Sequence, residues 1–248
     1  LQLRNFDRLV LVDAKAPVSF FAYPGKKSYL APETCAVLDL SSPGQDAAAS
    51  LKKLAMALGA DNAAPAPAPA FRPPAPRGKK LTAEKVCKAI GHLLPDNAVL
   101  IDEAITSGLM LSKYTAGAPR HDLVTLTGGA IGQGLPNAVG AAIACPDRPV
   151  LALIGDGSSM YTIQALWTMA REKLNVTTVI FNNASYSVLN VELERVGAER
   201  IGPKARAQLD LKRPTLNFSQ IAEGMGVPAA RVSDPEAFTA ALDRALRT

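Results

Sequence analysis

The reading turns on PVLALIGDGSSMYTIQALWTMAREKLNVTTVIFNN, residues 149–183. Two continuous apolar runs, Pro149–Ile154 and Thr177–Phe181, bracket a stretch of helical period. Such runs suit parallel strands covered on both faces. Between them Met160, Ile163, Leu166, Trp167, Ala170 and Leu174 recur near helical spacing. That pattern predicts one helix over Ser158–Leu174, with Trp167 in the core. Strand, helix, strand is the unit of a parallel α/β sheet, and such sheets bind ligands at the carboxyl ends of their strands.

Working outward, Ala98–Asp102 and Asp122–Thr127 read as further strands. Helices are expected over Leu81–Leu94, with Thr82 as N-cap, over Thr106–Tyr114 and over Pro136–Ala144. The expected fold class over 81–248 is therefore α/β, a parallel sheet flanked by helices. Upstream lies DNAAPAPAPAFRPPAPRGKK, residues 61–80, with six prolines between Pro65 and Pro76. Proline fixes φ and removes a donor, so this stretch predicts an extended linker. Residues 1–60 offer two strands (Arg8–Asp13 and Ala36–Leu40) and a helix from about Asp46 to Leu58. That is too little core for a domain, and predicts the trailing part of a second α/β domain. The text opens almost inside a strand, which suggests a fragment or a processed product.

Composition narrows the function. The chain has 248 residues, 48% hydrophobic and 20% charged, which excludes bulk disorder. Its net charge of +5 is spread along the sequence with no long basic run, so no nucleic-acid partner is expected. No stretch of roughly 18 apolar residues marks a membrane span. Cys35, Cys87 and Cys145 form no CxxC, and only two histidines accompany them. A zinc cluster is disfavoured, and reduced thiols in a cytoplasmic setting are the simplest expectation. His92 and His121 read as surface or capping residues.

Three loops at predicted strand ends are unusual: Gly155-Asp156-Gly157, Asn182-Asn183, and Gly128 to Pro136. Taken singly, each is an ordinary turn. Taken in order, Asp156 and Asn183 follow the two strands that one crossover helix joins. A carboxylate and an amide oxygen would then face one another, a donor set suited to a hard cation such as Mg²⁺ that shares its shell with a phosphate. Gly157 permits a sharp turn, and a helix starting near Ser158 would offer N–H groups to an anion. A Rossmann dinucleotide site is disfavoured, since Gly132-Gln133-Gly134-Leu135-Pro136-Asn137 has Asn where the last glycine belongs.

The Gly155-Asp156-Gly157 and Asn182-Asn183 pair resembles the cofactor motif of thiamine-diphosphate enzymes. The neighbouring TLTGGAIGQGLPNAVGAAIA (residues 125–144) looks like the acetolactate synthase and benzoylformate decarboxylase group. LVLVDAKAPVSFFAYPGKKSYLAPE (residues 9–33) resembles the end of that group's central domain. The resemblance implies thiamine diphosphate and Mg²⁺ as cofactors. It implies metal ligation by Asp156, the Asn183 side chain and the Ser185 carbonyl. Gly157 and Ser158 would cradle the diphosphate, joined by Thr106, Ser107 and Tyr186. The Gly129 carbonyl would accept from the aminopyrimidine, and Ile131 would wedge the cofactor into a bent form. Val188, Leu189 and Glu192 would line the substrate pocket, Glu192 standing where acetolactate synthases typically carry tryptophan. The implied reaction is decarboxylation of a 2-oxo acid, giving an aldehyde or a 2-hydroxy ketone, with no catalytic side chain on this chain. The group's activating glutamate lies on a pyrimidine-binding domain of another subunit, so a homodimer or tetramer is implied. Glu103 and Glu192 do not substitute for that glutamate by motif. An inactive cofactor-binding fragment is the alternative.

Overall fold

The structure, a computed structural model, describes residues 3–60, 62–64, 70–198 and 201–247. It divides into two compact units. The smaller runs up to Pro67, within the proline-rich stretch, and takes in Arg195–Ala198. Here β1 (Arg8–Val12) and β2 (Ala36–Ser41) pair in parallel, followed by α1 (Ala47–Ala57). Asp46 caps α1 by accepting the Ala49 N–H at 2.9 Å. No residue of α1 is buried, and Phe20, Tyr29, Leu38 and Leu58 are all half exposed or more.

The larger unit opens with α2 (Ala83–Leu93), capped by Thr82 as its sequence predicts. Next come β3 (Ala98–Glu103), a single 3₁₀ turn at Ile105–Ser107, α3 (Leu111–Thr115), β4 (His121–Thr125) and α4 (Gly134–Ala144). Then follow β5 (Val150–Gly155), α5 (Asp156–Ser159), α6 (Ala165–Arg171), β6 (Val176–Phe181) and α7 (Ser187–Arg195). α8 (Pro203–Gln208), α9 (Phe218–Gly224) and α10 (Pro235–Leu246) complete it. The four strands run parallel in the order β4-β3-β5-β6. Among the described residues no helix is long and apolar enough to cross a membrane.

The alternation of a strand's side chains divides the core. Leu100, Leu151 and Leu153 face a layer built with Cys87, Ile90, Phe238 and Leu242 from α2 and α10. Ile101, Ala152 and Ile154 face the opposite layer, with Leu135, Ala138, Leu166 and Met169 from α4 and α6. Central β3 and β5 are buried almost throughout, whereas β4 is an exposed edge strand.

Two predicted helices are broken. Thr106–Tyr114 resolves into the 3₁₀ turn and α3, because Gly108 packs against the Asp102 carboxylate, where an added Cβ would stand 2.8 Å from Oδ1. Ser158–Leu174 resolves into α5, a stretch of i→i−3 bonds and α6. Its middle is pulled aside by Thr162, whose hydroxyl donates to the Gly132 carbonyl at 2.6 Å. The break rotates Trp167 outward: it is 53% exposed, with the Arg171 guanidinium 5.3 Å from its ring centre. The expected core tryptophan is therefore a surface residue. Of the predicted linker, residues 61 and 65–69 lie outside those described. Residues 70–80 form neither helix nor strand, yet they are not free. The Phe71 N–H donates to the Gly117 carbonyl, the Pro73 carbonyl meets the His92 imidazole at 2.9 Å, and Pro73 and Pro76 are buried.

Candidate functional site

Register places the loops. Gly155 pairs with Phe181 at the last step of the β5–β6 ladder, so Asp156 and Asn182-Asn183 emerge side by side at the carboxyl end. Asp156 is 3% exposed. Its Oδ1 accepts the Gly157 N–H at 2.9 Å and its Oδ2 accepts the Ala184 N–H at 2.5 Å. One carboxylate thus ties the turn after β5 to the turn after β6. Ala184 reaches it with φ of +56°, a left-handed conformation unusual for alanine. Burial pushes the Asp156 carboxyl above its usual value, against the pull of its backbone donors. No cationic side chain contributes to that balance.

Asn183 is exposed, and its side-chain oxygen accepts the Ser185 N–H at 3.0 Å. The Ser185 carbonyl accepts from the Ser187 N–H, and its hydroxyl donates to the Leu209 carbonyl at 3.1 Å. Residues 209–211 brace this turn from the side, since Tyr186 N–H donates to Leu209 and Leu211 N–H donates to Ala184. Nothing in the sequence pattern pointed to that brace. The Tyr186 ring lies on Gly157, where an added Cβ would come within 2.3 Å of it. Burial raises the Tyr186 phenol, as do the neighbouring charges of Tyr161 and Asp156. Gly157 and Ser158 are both buried, and α5 is a single turn rather than the start of a long helix.

The adjacent turns after β5 and β6 carry a carboxylate on Asp156, an amide oxygen on Asn183 and a backbone carbonyl on Ser185, all hard donors. A buried carboxylate with no cationic side chain beside it is the feature that fits a divalent cation. Asp156, Asn183 and Ser185 are the residues that would hold one. No group of three or more His, Cys, Asp or Glu that could hold a metal occurs among the described residues.

On the neighbouring strand, Thr106 and Ser107 occupy the 3₁₀ turn after β3, both half-buried, with Ile105 at φ of +52°. Asp102 fixes this turn by accepting the Ala104 N–H at 3.0 Å, and the Cys87 thiol meets the Ser107 carbonyl at 3.5 Å. Burial raises the Asp102 carboxyl and lifts the Cys87 thiol to about 11. Gly129 and Ile131 lie in the loop between β4 and α4. Gly129 is exposed with φ of +72°, and Ile131 is half-buried. Val188, Leu189 and Glu192 all fall on α7: Leu189 is exposed, while Val188 and Glu192, one turn apart, are half-buried. His121 opens β4 with its ring against the Pro119 carbonyl at 2.7 Å.

Sequence reasoning set Glu103 aside, yet it is the second buried carboxylate of the sheet, 1% exposed. Its Oε1 accepts the Gly132 N–H and its Oε2 accepts the Gly134 N–H, the latter at 2.8 Å. The available signal was a pair of acids, Asp102 and Glu103, closing an otherwise apolar strand, AVLIDE, where a buried charge needs a partner.

Residues 106–248 match the family model described as thiamine pyrophosphate enzyme, C-terminal TPP binding domain. The chain is 54% identical over 242 residues to the Mycobacterium tuberculosis H37Rv protein named "Putative acetolactate synthase large subunit IlvX", covering 97% of this chain and 46% of that protein. It is 33% identical over 187 residues to a benzoylformate decarboxylase of Pseudomonas aeruginosa PAO1, covering 75% of this chain and 34% of that protein. The chain thus spans less than half the length of these relatives. Among solved structures, the thiamine diphosphate-dependent 4-hydroxybenzoylformate decarboxylase of Rhodococcus jostii RHA1 superposes with a TM-score of 0.75 at 27% identity. That match covers 100% of this chain and 48% of the other.

Proposed function

The chain belongs to the thiamine pyrophosphate enzymes, carrying their C-terminal TPP-binding domain, and from that premise we propose that it is the thiamine diphosphate- and Mg²⁺-binding part of a 2-oxo acid decarboxylase or carboligase of the acetolactate synthase type. The observation that carries this reading is the Asp156 carboxylate, buried and shared between the turns after β5 and β6. Asp156, the Asn183 amide oxygen and the Ser185 carbonyl would hold Mg²⁺, which would supply positive charge for the diphosphate. Thr106 and Ser107 contribute hydroxyls from the adjacent strand end, and Gly157, Ser158 and Tyr186 close the diphosphate end. Gly129 and Ile131 meet the ring end, with Ile131 setting its bend. Val188, Leu189 and Glu192 on α7 line the way in for the substrate.

Bound thiamine diphosphate supplies the electron sink for loss of CO₂ from a 2-oxo acid. The residues of this chain bind and orient; none has to act as nucleophile. A pyrimidine-binding domain of another subunit completes the site, in a homodimer or tetramer working in the cytoplasm. The chain alone therefore binds weakly and turns over little. Glu192 favours a second reading, a benzoylformate decarboxylase-like lyase, because it stands where acetolactate synthases carry tryptophan.

Calorimetric titration tests the binding. Thiamine diphosphate with Mg²⁺ is expected to give saturable heat that a chelator abolishes, and NAD none. No heat with the former, or equal heat with NAD, would overturn the reading. Adding a pyrimidine-binding domain in trans and assaying CO₂ release from a panel of 2-oxo acids separates an enzyme from an inactive fragment.

A further inference from the structure

The loop that carries Gly129 and Ile131 is tied locally by Gln133, whose side-chain amide donates to the Thr127 and Ala130 carbonyls at 3.1 and 2.6 Å. It is rich in glycine: Gly128, Gly129 and Gly132 all have positive φ, and Gly128 has open space around it. α4, which follows, receives no side-chain cap bond from its N-cap residue, Gln133. Glu103 ties both the loop and the helix to the central sheet. Its carboxylate, at the end of β3, takes the Gly132 N–H with one oxygen and the first N–H of α4, that of Gly134, with the other. A negative group at a helix N-terminus is favoured by the helix dipole, and here it is buried, where screening is weak. The fit is close. An added Cβ at Gly134 would stand 2.6 Å from Oε2, and one at Gly132 would meet the Tyr161 Cβ at 2.6 Å. On the far side Thr162 holds the Gly132 carbonyl. Gly132 is thus gripped at both its N–H and its carbonyl, one residue after Ile131.

We propose that Glu103 is a positioning residue that fixes Ile131 and Gly129 for the ring end of the cofactor, acting through Gly132 and Gly134 without touching the cofactor itself. The proposal rests on the reading of the site given above and extends it. The diphosphate end hangs on Asp156, the ring end on Glu103, and the two anchors are separable.

The test uses the full 248-residue chain and two probes, thiamine diphosphate and inorganic pyrophosphate, each with Mg²⁺. Glu103→Gln keeps the shape but offers one acceptor oxygen where two were needed, a loss expected to weaken thiamine diphosphate binding about tenfold or more. Binding of pyrophosphate is expected to stay within about twofold, since a fall confined to one probe leaves the Asp156 end intact. Equal losses for both probes, or none for either, would overturn the proposal. Amide exchange of the cofactor-free chain gives an independent arm. In the wild type the Gly132 and Gly134 amides are expected to exchange far more slowly than those of Gly128 and Gly129. Glu103→Gln is expected to remove that protection while leaving the β5 amides slow. Fast exchange at Gly132 and Gly134 in the wild type would refute the anchor outright, with no variant needed. A wild-type chain that binds neither probe sinks the cofactor reading, while the exchange arm still decides whether Glu103 holds the loop.

Discussion

Asp156 and Glu103 use one device at two places. Each carboxylate is buried at the end of a central strand, and each accepts two backbone N–H groups, one from a loop and one from the first turn of a helix. The surroundings differ. Asp156 joins the turns after two adjacent strands, beside an exposed Asn183, with a left-handed alanine and a half-buried tyrosine ring around it. Glu103 faces inward, against Ile154 and the first turn of α4. No cationic side chain acts on the first carboxylate, and the second is enclosed by protein. A buried carboxylate therefore marks a ligand site only where its neighbours leave part of its charge unanswered.

The largest expected effect breaks the comparison at the Asp156 end. Asp156→Ala removes the charged oxygen donor and strands the Ala184 N–H, and should weaken Mg²⁺-dependent thiamine diphosphate binding about 100-fold or more in a titration. The chain is still expected to fold, read as an unchanged far-UV dichroism spectrum.

A pair of alanine substitutions comes next. Gly134→Ala drives a methyl into Glu103 and Ile154, at 2.6 and 2.5 Å, and should cost about 2 kcal/mol in urea denaturation. Gly157→Ala meets the Tyr186 ring first, a single half-buried side chain rather than a buried carboxylate and an Ile, so a smaller cost of about 1 kcal/mol is expected. Equal costs would mean that the two ends are equally rigid.

The pH dependence sharpens the difference. Burial raises the Asp156 and Asp102 carboxyls above their ordinary value, so the folded chain holds those protons more tightly than the unfolded one. The stability they lend is complete below the ordinary carboxylate range, near about pH 4, and is lost as pH rises through the elevated folded values. Asp102→Asn keeps an acceptor for the Ala104 N–H and removes one of the two slopes. In that variant, thermal melts should show a shallower fall with rising pH. The remaining slope should shrink further when Mg²⁺ is added, because a cation stabilises the ionised Asp156.

The smallest effect concerns Ala184. Glycine adopts positive φ without the methyl's penalty but loses more chain entropy on folding, so Ala184→Gly should raise stability by about 0.5 kcal/mol in denaturant melts.

Much of this was legible before folding. The apolar runs that became β3 and β5 needed no context, because a strand covered on both faces is apolar along most of its length, while the run that became β6 lies half-buried at the sheet edge. The Thr82 cap was equally local. Asp156 and Asn183 were visible because both follow such strands directly. What failed was long-range. Trp167 fitted the helical period, but period gives a spacing and not a direction, and the break at Thr162 turned the ring outward. Glu103 looked like one more charge at a strand end.

The sequence by itself determined the parallel strands, their helical connections and the residues that stand at the strand ends, since each follows from the local order of apolar and polar groups. Only the tertiary structure decided which of those residues meet. The Asp156 bond to Ala184 spans 28 residues, and the Glu103 bonds to Gly132 and Gly134 span 29 and 31. Such contacts depend on strand order and register, which the packing of the whole sheet sets and no short stretch of sequence encodes.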